Sequence, residues 1–237
     1  MKRSIKNLIY RLLSLFNFKG VSVLMYHSVG WNNSFFTVKP EEFKKQIKWL
    51  KKNDFKVLSL EDFSSFLKNG IFPGKSVFLT FDDGYEDNFS NVFPILKKYN
   101  FPATIFLSQG NPGVNLKMIN TNQIEAIHNF GLVDFSPHGF SHKKLTEISL
   151  AEAEKEIIES KKDVEEKTGD QCVCFSYPYG AVNEGVKRLA KKHFDFAFGV
   201  KKGKVKKSFD AYDLRRNSID SSVNFAQFKG KVKFGRI

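Results

Sequence analysis

The sequence predicts an α/β fold with a mostly parallel sheet, and three observations carry that expectation. Short apolar runs alternate with helix-spaced segments from end to end, no internal repeat or long linker interrupts them, and several helical segments carry start and stop residues. Strands are expected at 21–26 (VSVLMY), 56–58, 76–81 (SVFLTF), 102–107 (PATIFL), 131–136 (GLVDFS), 172–176 (CVCFS) and 195–199 (DFAFG), all short apolar, β-branched or aromatic runs. Helices are expected at 40–52, 60–68, 88–99, 121–129, 149–168 and 183–193. Pro40 stands in the first turn of the first. Ser149 precedes, and Gly169 follows, the helix of Leu150, Ala153, Ile157 and Val164. Strand–helix–strand units of this kind cross over right-handedly, and about seven of them can close into a (β/α) barrel. An open doubly wound sheet is the alternative, but no Gly-x-Gly-x-x-Gly turn follows any strand.

Composition narrows the classes. With 41% hydrophobic and 27% charged residues over 237 positions, the chain can bury a core and is not a disordered one. No window approaches a membrane span. The two cysteines, Cys172 and Cys174, cannot build a disulfide scaffold; spaced i, i+2 on one face of a strand, they read as buried small hydrophobes. The net charge of +13 sits at the ends: residues 1–19 hold five bases and no acid, residues 201–237 eleven bases and three acids, and the stretch between is neutral. A neutral body offers no basic face, so no nucleic-acid partner is expected.

The start, MKRSIKNLIYRLLSLFNFKG, has a basic beginning and an apolar stretch, yet Arg11 interrupts that stretch and no small-x-small cleavage site follows. A cleaved signal is therefore not expected. Ile5, Leu8, Ile9, Leu12, Leu15 and Phe16 recur at helical spacing among Lys2, Arg3, Lys6 and Arg11. That is the composition of an interfacial helix on an anionic membrane, and equally of a terminal helix packed on the domain's own core. The organisation expected is a basic amphipathic segment at 1–19, one domain at 20–220 and a basic tail at 221–237. The location expected is cytoplasmic or peripheral at the membrane, with export on an uncleaved signal as the other reading.

In parallel βα folds the site lies at the C-terminal ends of the strands. Three polar clusters fall there: Asp82-Asp83-Gly84-Tyr85, then Pro137-His138-Gly139-Phe140-Ser141-His142, then Tyr177-Pro178-Tyr179-Gly180. Asp-Asp-Gly alone is an ordinary turn or helix cap. His-x-x-x-His presents two imidazoles from one helical turn, a common way to hold a divalent metal. Two imidazoles and one carboxylate together make a three-ligand site with positions left open, the catalytic pattern, and leave the second carboxylate free to act as a base.

These residues give the chain a resemblance to a known family. Leu79-Thr80-Phe81-Asp82-Asp83-Gly84, then Pro94-Ile95-Leu96-Lys97-Lys98-Tyr99, Phe101-Pro102-Ala103-Thr104-Ile105-Phe106, HGFSH and YPYG resemble the polysaccharide deacetylases with NodB homology, carbohydrate esterase family four. The likeness reaches upstream to Leu24-Met25-Tyr26-His27-Ser28-Val29 and covers residues 21–220. It looks most like the branch acting on β-1,6-linked N-acetylglucosamine polymers, which shares the early Met-Tyr-His and the Tyr-Pro-Tyr-Gly. The resemblance implies a distorted (β/α) barrel of about seven parallel strands and a hydrolase that removes acetyl groups from an N-acetylated glycan. It implies Asp82 as general base, Asp83, His138 and His142 as metal ligands, and a divalent metal, usually zinc. The substrate-binding residues it implies are Tyr177, Pro178 and Tyr179, the last with a backbone N–H on the oxyanion.

Two departures from the family pattern matter. The arginine that pairs with the catalytic aspartate is replaced by Ser176, and either Arg215 or Arg216 in DLRRNSI can supply that cation, or contact substrate, from another strand. The late Leu-x-His motif that supplies the general acid is absent. Of the five histidines, two are assigned to metal, His128 and His193 lie on helical stretches, and His27 remains at the end of the first strand. An imidazole suits protonation of a leaving amine. The other readings are a hydrolase of another non-peptide amide on the same fold and a non-catalytic carbohydrate-binding protein.

Overall fold

A computed structural model describes residues 20–70, 74–110 and 115–235; the amphipathic segment expected at 1–19 lies outside them. In chain order the elements are β1 (Ser22–Tyr26), α1 (Pro40–Lys52), β2 (Lys56–Val57), α2 (Leu60–Asn69) and β3 (Ser76–Phe81). A π-helical turn (Asn88–Val92) then runs into α3 (Phe93–Tyr99), followed by β4 (Ala103–Leu107), α4 (Thr121–His128), β5 (Val133–Pro137) and α5 (Leu150–Thr168). Last come β6 (Cys174–Ser176), α6 (Glu184–His193), β7 (Phe196–Phe198), β8 (Asn217–Ser218) and α7 (Phe225–Phe234). The helices begin where the sequence signals them. Pro40 opens α1 ahead of Glu41 and Glu42, the Ser149 hydroxyl accepts from Glu152 N, and Gly169 ends α5 in the left-handed region.

The strands form a distorted, parallel (β/α) barrel. Five of them run side by side in the order β5-β4-β3-β1-β8, β2 joins β3, and β6 pairs with β7. A parallel bridge from Phe198 to Leu214 carries β7 toward β8. Among the described residues no ladder joins β5 to β6, where a Cys174–Ser136 contact of 3.2 Å spans the gap instead. The second distortion is at β3, which has β2 beside Ser76 and Val77 but β4 beside Thr80 and Phe81.

Strand parity sorts the core into two layers. Val21, Val23, Phe78, Phe106, Cys174, Phe196, Phe198 and Leu214 pack together, with Phe63 stacked on Phe78 at 4.5 Å. The alternate residues, among them Leu24, Tyr26, Leu79, Phe81, Phe175 and Tyr177, pack with the helices. Both cysteines are buried, as expected, but they do not share a face: Cys174 joins the first layer, while Cys172 precedes β6 and joins the second.

Two expectations need correction. The segment at 221–237 is not a tail over its described part, because Phe228 and Val232 of α7 are buried against the core and Ser22 donates to the Lys231 and Val232 carbonyls. Its lysines obscured an apolar helical face. The helix expected at 88–99 is present without a break, but its first five residues form a π turn rather than an α turn, and there Asn88 Nδ2 donates to the His27 carbonyl.

Candidate active site

The inward parity that buries Phe78 continues through Thr80 to Asp82, and that of Cys174 continues to Ser176. At the C-terminal rim these inward positions turn from apolar to polar. Asp82 N still donates to the Tyr26 carbonyl at 2.9 Å, so the first aspartate is fixed by the sheet. Asp83 then leaves it at φ +75°, a left-handed conformation that costs a non-glycine residue energy.

Arg216 closes on Asp82 from beyond β7. Its Nη1 and Nη2 meet Oδ1 and Oδ2 at 2.6 and 2.8 Å. Its remaining donors go to the Gly199 carbonyl (3.0 Å), Ser176 Oγ (2.8 Å) and, at 3.5 Å, Thr80 Oγ1. All five N–H groups are thus spent inside the barrel, above Phe106 and Phe198, so Arg216 holds the carboxylate and has no donor left for a substrate. Ser176 is small enough to admit the guanidinium and accepts a hydrogen bond from it. Burial alone would raise the Asp82 pKa, but Arg216 and His138 outweigh it and hold the group below the usual carboxylate range.

The histidine pair does not ride on a helix, contrary to expectation. Residues 138–142 are a loop in which Gly139 (φ +75°) and His142 (φ +57°) adopt left-handed conformations. The buried Glu156 of α5 fixes it, accepting from Ser141 N at 2.7 Å and from the Ser141 hydroxyl. The loop returns both imidazoles to Asp83: His142 Nε2 lies 3.1 Å, and His138 Nε2 3.5 Å, from Asp83 Oδ1. His138 Nδ1 contacts the Ser176 carbonyl at 2.7 Å, which fixes the N–H there and turns the Nε2 lone pair toward the carboxylate. Burial holds His138 down at about 4, so it is neutral at neutral pH.

Asp83 Oδ1 and His142 Nδ1 are buried without a hydrogen-bond partner. An orphaned carboxylate oxygen facing two imidazole nitrogens fits a cation, and one donor atom from each of Asp83, His138 and His142 lies within 4.8 Å of the others. Burial would raise Asp83, but the two histidines pull it well below the usual range. Asp82 Oδ2 sits 3.8 Å from His138 Nε2, adjoining the cluster without belonging to it.

The other expected residues divide. His27 is half-buried at the end of β1, its backbone carbonyl accepting from Asn88 Nδ2 and its ring 5.5 Å from that of Phe36. Tyr179 is 54% exposed at φ +59°, its ring 4.6 Å from that of His142. Tyr177 does not line the site: outward parity buries it, and its hydroxyl donates to the Tyr212 carbonyl. Pro178 is buried against Gly139. Arg215 turns away to the Lys202 carbonyl (3.0 Å) and the Phe209 ring. Glu156 escaped the sequence reading, although a carboxylate on the apolar face of Ala153, Ile157 and Ser160 was its signal. Tyr85, which the sequence places in the first polar cluster without a role, is buried with an unpartnered hydroxyl raised by burial and by Asp83. A cavity of about 550 Å³ among Leu60, Ser64, His128, Asp134 and Gln171, at the opposite end of the strands, contains none of the site residues.

Comparison with known proteins bears on the family and the fold. Residues 69–194 match the polysaccharide deacetylase family. The poly-beta-1,6-N-acetyl-D-glucosamine N-deacetylase of Staphylococcus epidermidis is 31% identical over 201 residues, covering 79% of this chain and 70% of that protein. In fold, the chain is similar to Streptococcus pyogenes deacetylase PplD in complex with acetate (TM-score 0.82, 24% identity, 90% of this chain and 98% of that one). It is likewise similar to IcaB from Ammonifex degensii (TM-score 0.81, 23% identity, 92% and 98%). The chain belongs to the polysaccharide deacetylase family.

Proposed function

We propose that the protein removes acetyl groups from N-acetylglucosamine residues of a β-1,6-linked glycan, using zinc held by Asp83, His138 and His142. The observation that carries this reading is the pairing of an orphaned two-imidazole, one-carboxylate cluster with a second carboxylate that stays outside it. Binding alone needs no such second carboxylate. Two nitrogens and one oxygen are a usual donor set for catalytic zinc. A cation held there polarises the acetyl carbonyl and makes water more acidic.

The protein's own groups do the rest. Asp82 is charged at neutral pH; its Oδ2 accepts from Arg216 and, at 3.4 Å, from the Ser176 hydroxyl, while its Oδ1 keeps a lone pair beyond its bond to Arg216, so the carboxylate can take a proton from water. Arg216 fixes the direction of that carboxylate and keeps it ionised. His138 is held by the Ser176 carbonyl in the tautomer that leaves Nε2 free. His27 gives a proton to the departing amine, which leaves poorly as an anion. Tyr179 lines the sugar subsite beside His142, and its N–H is available to the developing oxyanion.

The test is incubation with a β-1,6-linked N-acetylglucosamine pentamer, with acetate and free amine measured together. Equal amounts of both are expected. Binding of the pentamer without either product would make the protein a binding module. Residues 1–19 are taken as a peripheral contact with an anionic membrane, supported by their five bases and apolar helical spacing. Deleting residues 2–17 should weaken binding to anionic vesicles in a salt-dependent way, and unchanged binding would remove that part of the reading.

A further inference from the structure

Phe35 is 76% exposed although the loop that carries it is tightly held. Between β1 and α1, Asn32 Oδ1 accepts from Thr37 Oγ1 at 2.7 Å and from Ser34 N at 3.0 Å, while Asn32 Nδ2 donates to Ser28 Oγ at 3.0 Å. Ser28 is tied in turn to Asp87, which also takes Val29 N at 3.1 Å. From the far side, Ser221 donates both its N–H (3.0 Å) and its hydroxyl (2.7 Å) to the Phe35 carbonyl. The loop therefore spends its polar groups on keeping an apolar ring in water, which costs free energy unless something covers the ring.

The ring is continuous with the site. Phe35 meets Phe36 edge-on at 5.3 Å, Phe36 stacks on Tyr85 at 5.5 Å, and Phe36 is 5.5 Å from the His27 ring. Tyr85 follows the ligand Asp83 by two residues, so an aromatic row leads from the cluster out to solvent at Phe35. The loop 28–38 (SVGWNNSFFTV) carries no charged residue. An anionic headgroup would find one basic residue, the exposed Lys39 where the loop enters α1, whereas an uncharged sugar ring presents a C–H face to an aromatic plane and hydroxyls to neighbouring amides.

Resting on the deacetylase reading, we propose that Phe35, backed by Phe36, is a stacking platform for a sugar unit next to the one that loses its acetyl group. The platform makes the enzyme prefer an oligomer over a single sugar. Its preset geometry lowers the ordering cost of binding a flexible glycan.

The experiment compares kcat/KM on a β-1,6-linked N-acetylglucosamine pentamer with kcat/KM on the monosaccharide, for wild type, Phe35→Ala and Phe35→Trp. The pentamer-to-monosaccharide ratio is expected to fall about tenfold in Phe35→Ala, through KM rather than kcat, as the loss of one aromatic contact implies. Phe35→Trp should keep the ratio, which a merely structural role would not predict. An unchanged ratio in Phe35→Ala overturns the proposal. So does an unchanged ratio with weakened binding to anionic vesicles, which would make the ring a membrane contact. If the wild type releases acetate from neither sugar, the deacetylase reading itself fails and the platform with it.

Discussion

Asp82 and Arg216 stand 134 positions apart in the chain and meet as a two-pronged, fully buried ion pair, 2.6 and 2.8 Å between nitrogens and oxygens. The pair solves a problem that Ser176 creates. With no arginine on β6, the cation arrives from the segment leading into β8 and fills the space the serine leaves.

Arg216→Met should therefore act on both stability and pH dependence. Removing one partner of a buried pair costs about 3–5 kcal/mol, measurable by urea unfolding. The folded Asp82 pKa is depressed, so its stabilising contribution is present above the unfolded value of about 3.9 and is lost as pH falls through the folded one. Without Arg216, burial dominates and the pKa rises. The acidic limb of kcat/KM should move to higher pH in the variant, and an unmoved limb would mean that Arg216 does not set the charge of Asp82.

Asp82→Asn keeps the shape and removes the proton acceptor. Metal content should stay at the wild-type level while turnover falls roughly 10²–10⁴-fold. Wild-type turnover would assign the base elsewhere.

His27→Ala should cost turnover on an N-acetyl sugar by a similar 10²–10⁴-fold. The loss should be much smaller on an activated acetyl ester, whose leaving group needs no proton. The wild-type amide rate should fall at high pH, and that limb should vanish in the variant. Equal losses on both substrates would give His27 a structural role.

Much of this site was legible in the sequence because its residues follow strands whose ends are marked. Asp82, Asp83, His138 and His142 fall just after apolar runs, and the fold brings them together. Parity was harder. Tyr177 and Ser176 are neighbours on opposite faces of one strand, and only the register of β6 in the barrel says which faces the site. Arg215 and Arg216 pose the same choice, and the inward phase of Leu214 settles it. The loop at 138–142 was misread as a helical turn, because His-x-x-x-His spacing is satisfied equally by left-handed residues at Gly139 and His142. The fixing contact from Glu156 is tertiary and leaves only a buried carboxylate as its trace. At 225–234 the lysines raise the net charge of a segment whose Phe225, Phe228 and Val232 are spaced as one helical face.

The thiols should be inert in the native protein. Burial pushes Cys172 up to about 12 and Cys174 higher still. Ellman's reagent at pH 8 should find no fast-reacting thiol before denaturation and two after it. A fast native thiol would contradict the packing described for β6.

Amide hydrolysis should depend on a cation held by Asp83, His138 and His142. The most direct measurement is acetate release from the β-1,6-linked pentamer by one preparation as purified, after exhaustive chelation, and after zinc is titrated back, with bound metal determined at each stage. Activity should vanish with the metal and return in proportion as one equivalent of zinc is restored, and an Asp83→Ala protein should neither retain the metal nor recover. Full acetate release from a chelated sample that contains no detectable metal would contradict the account.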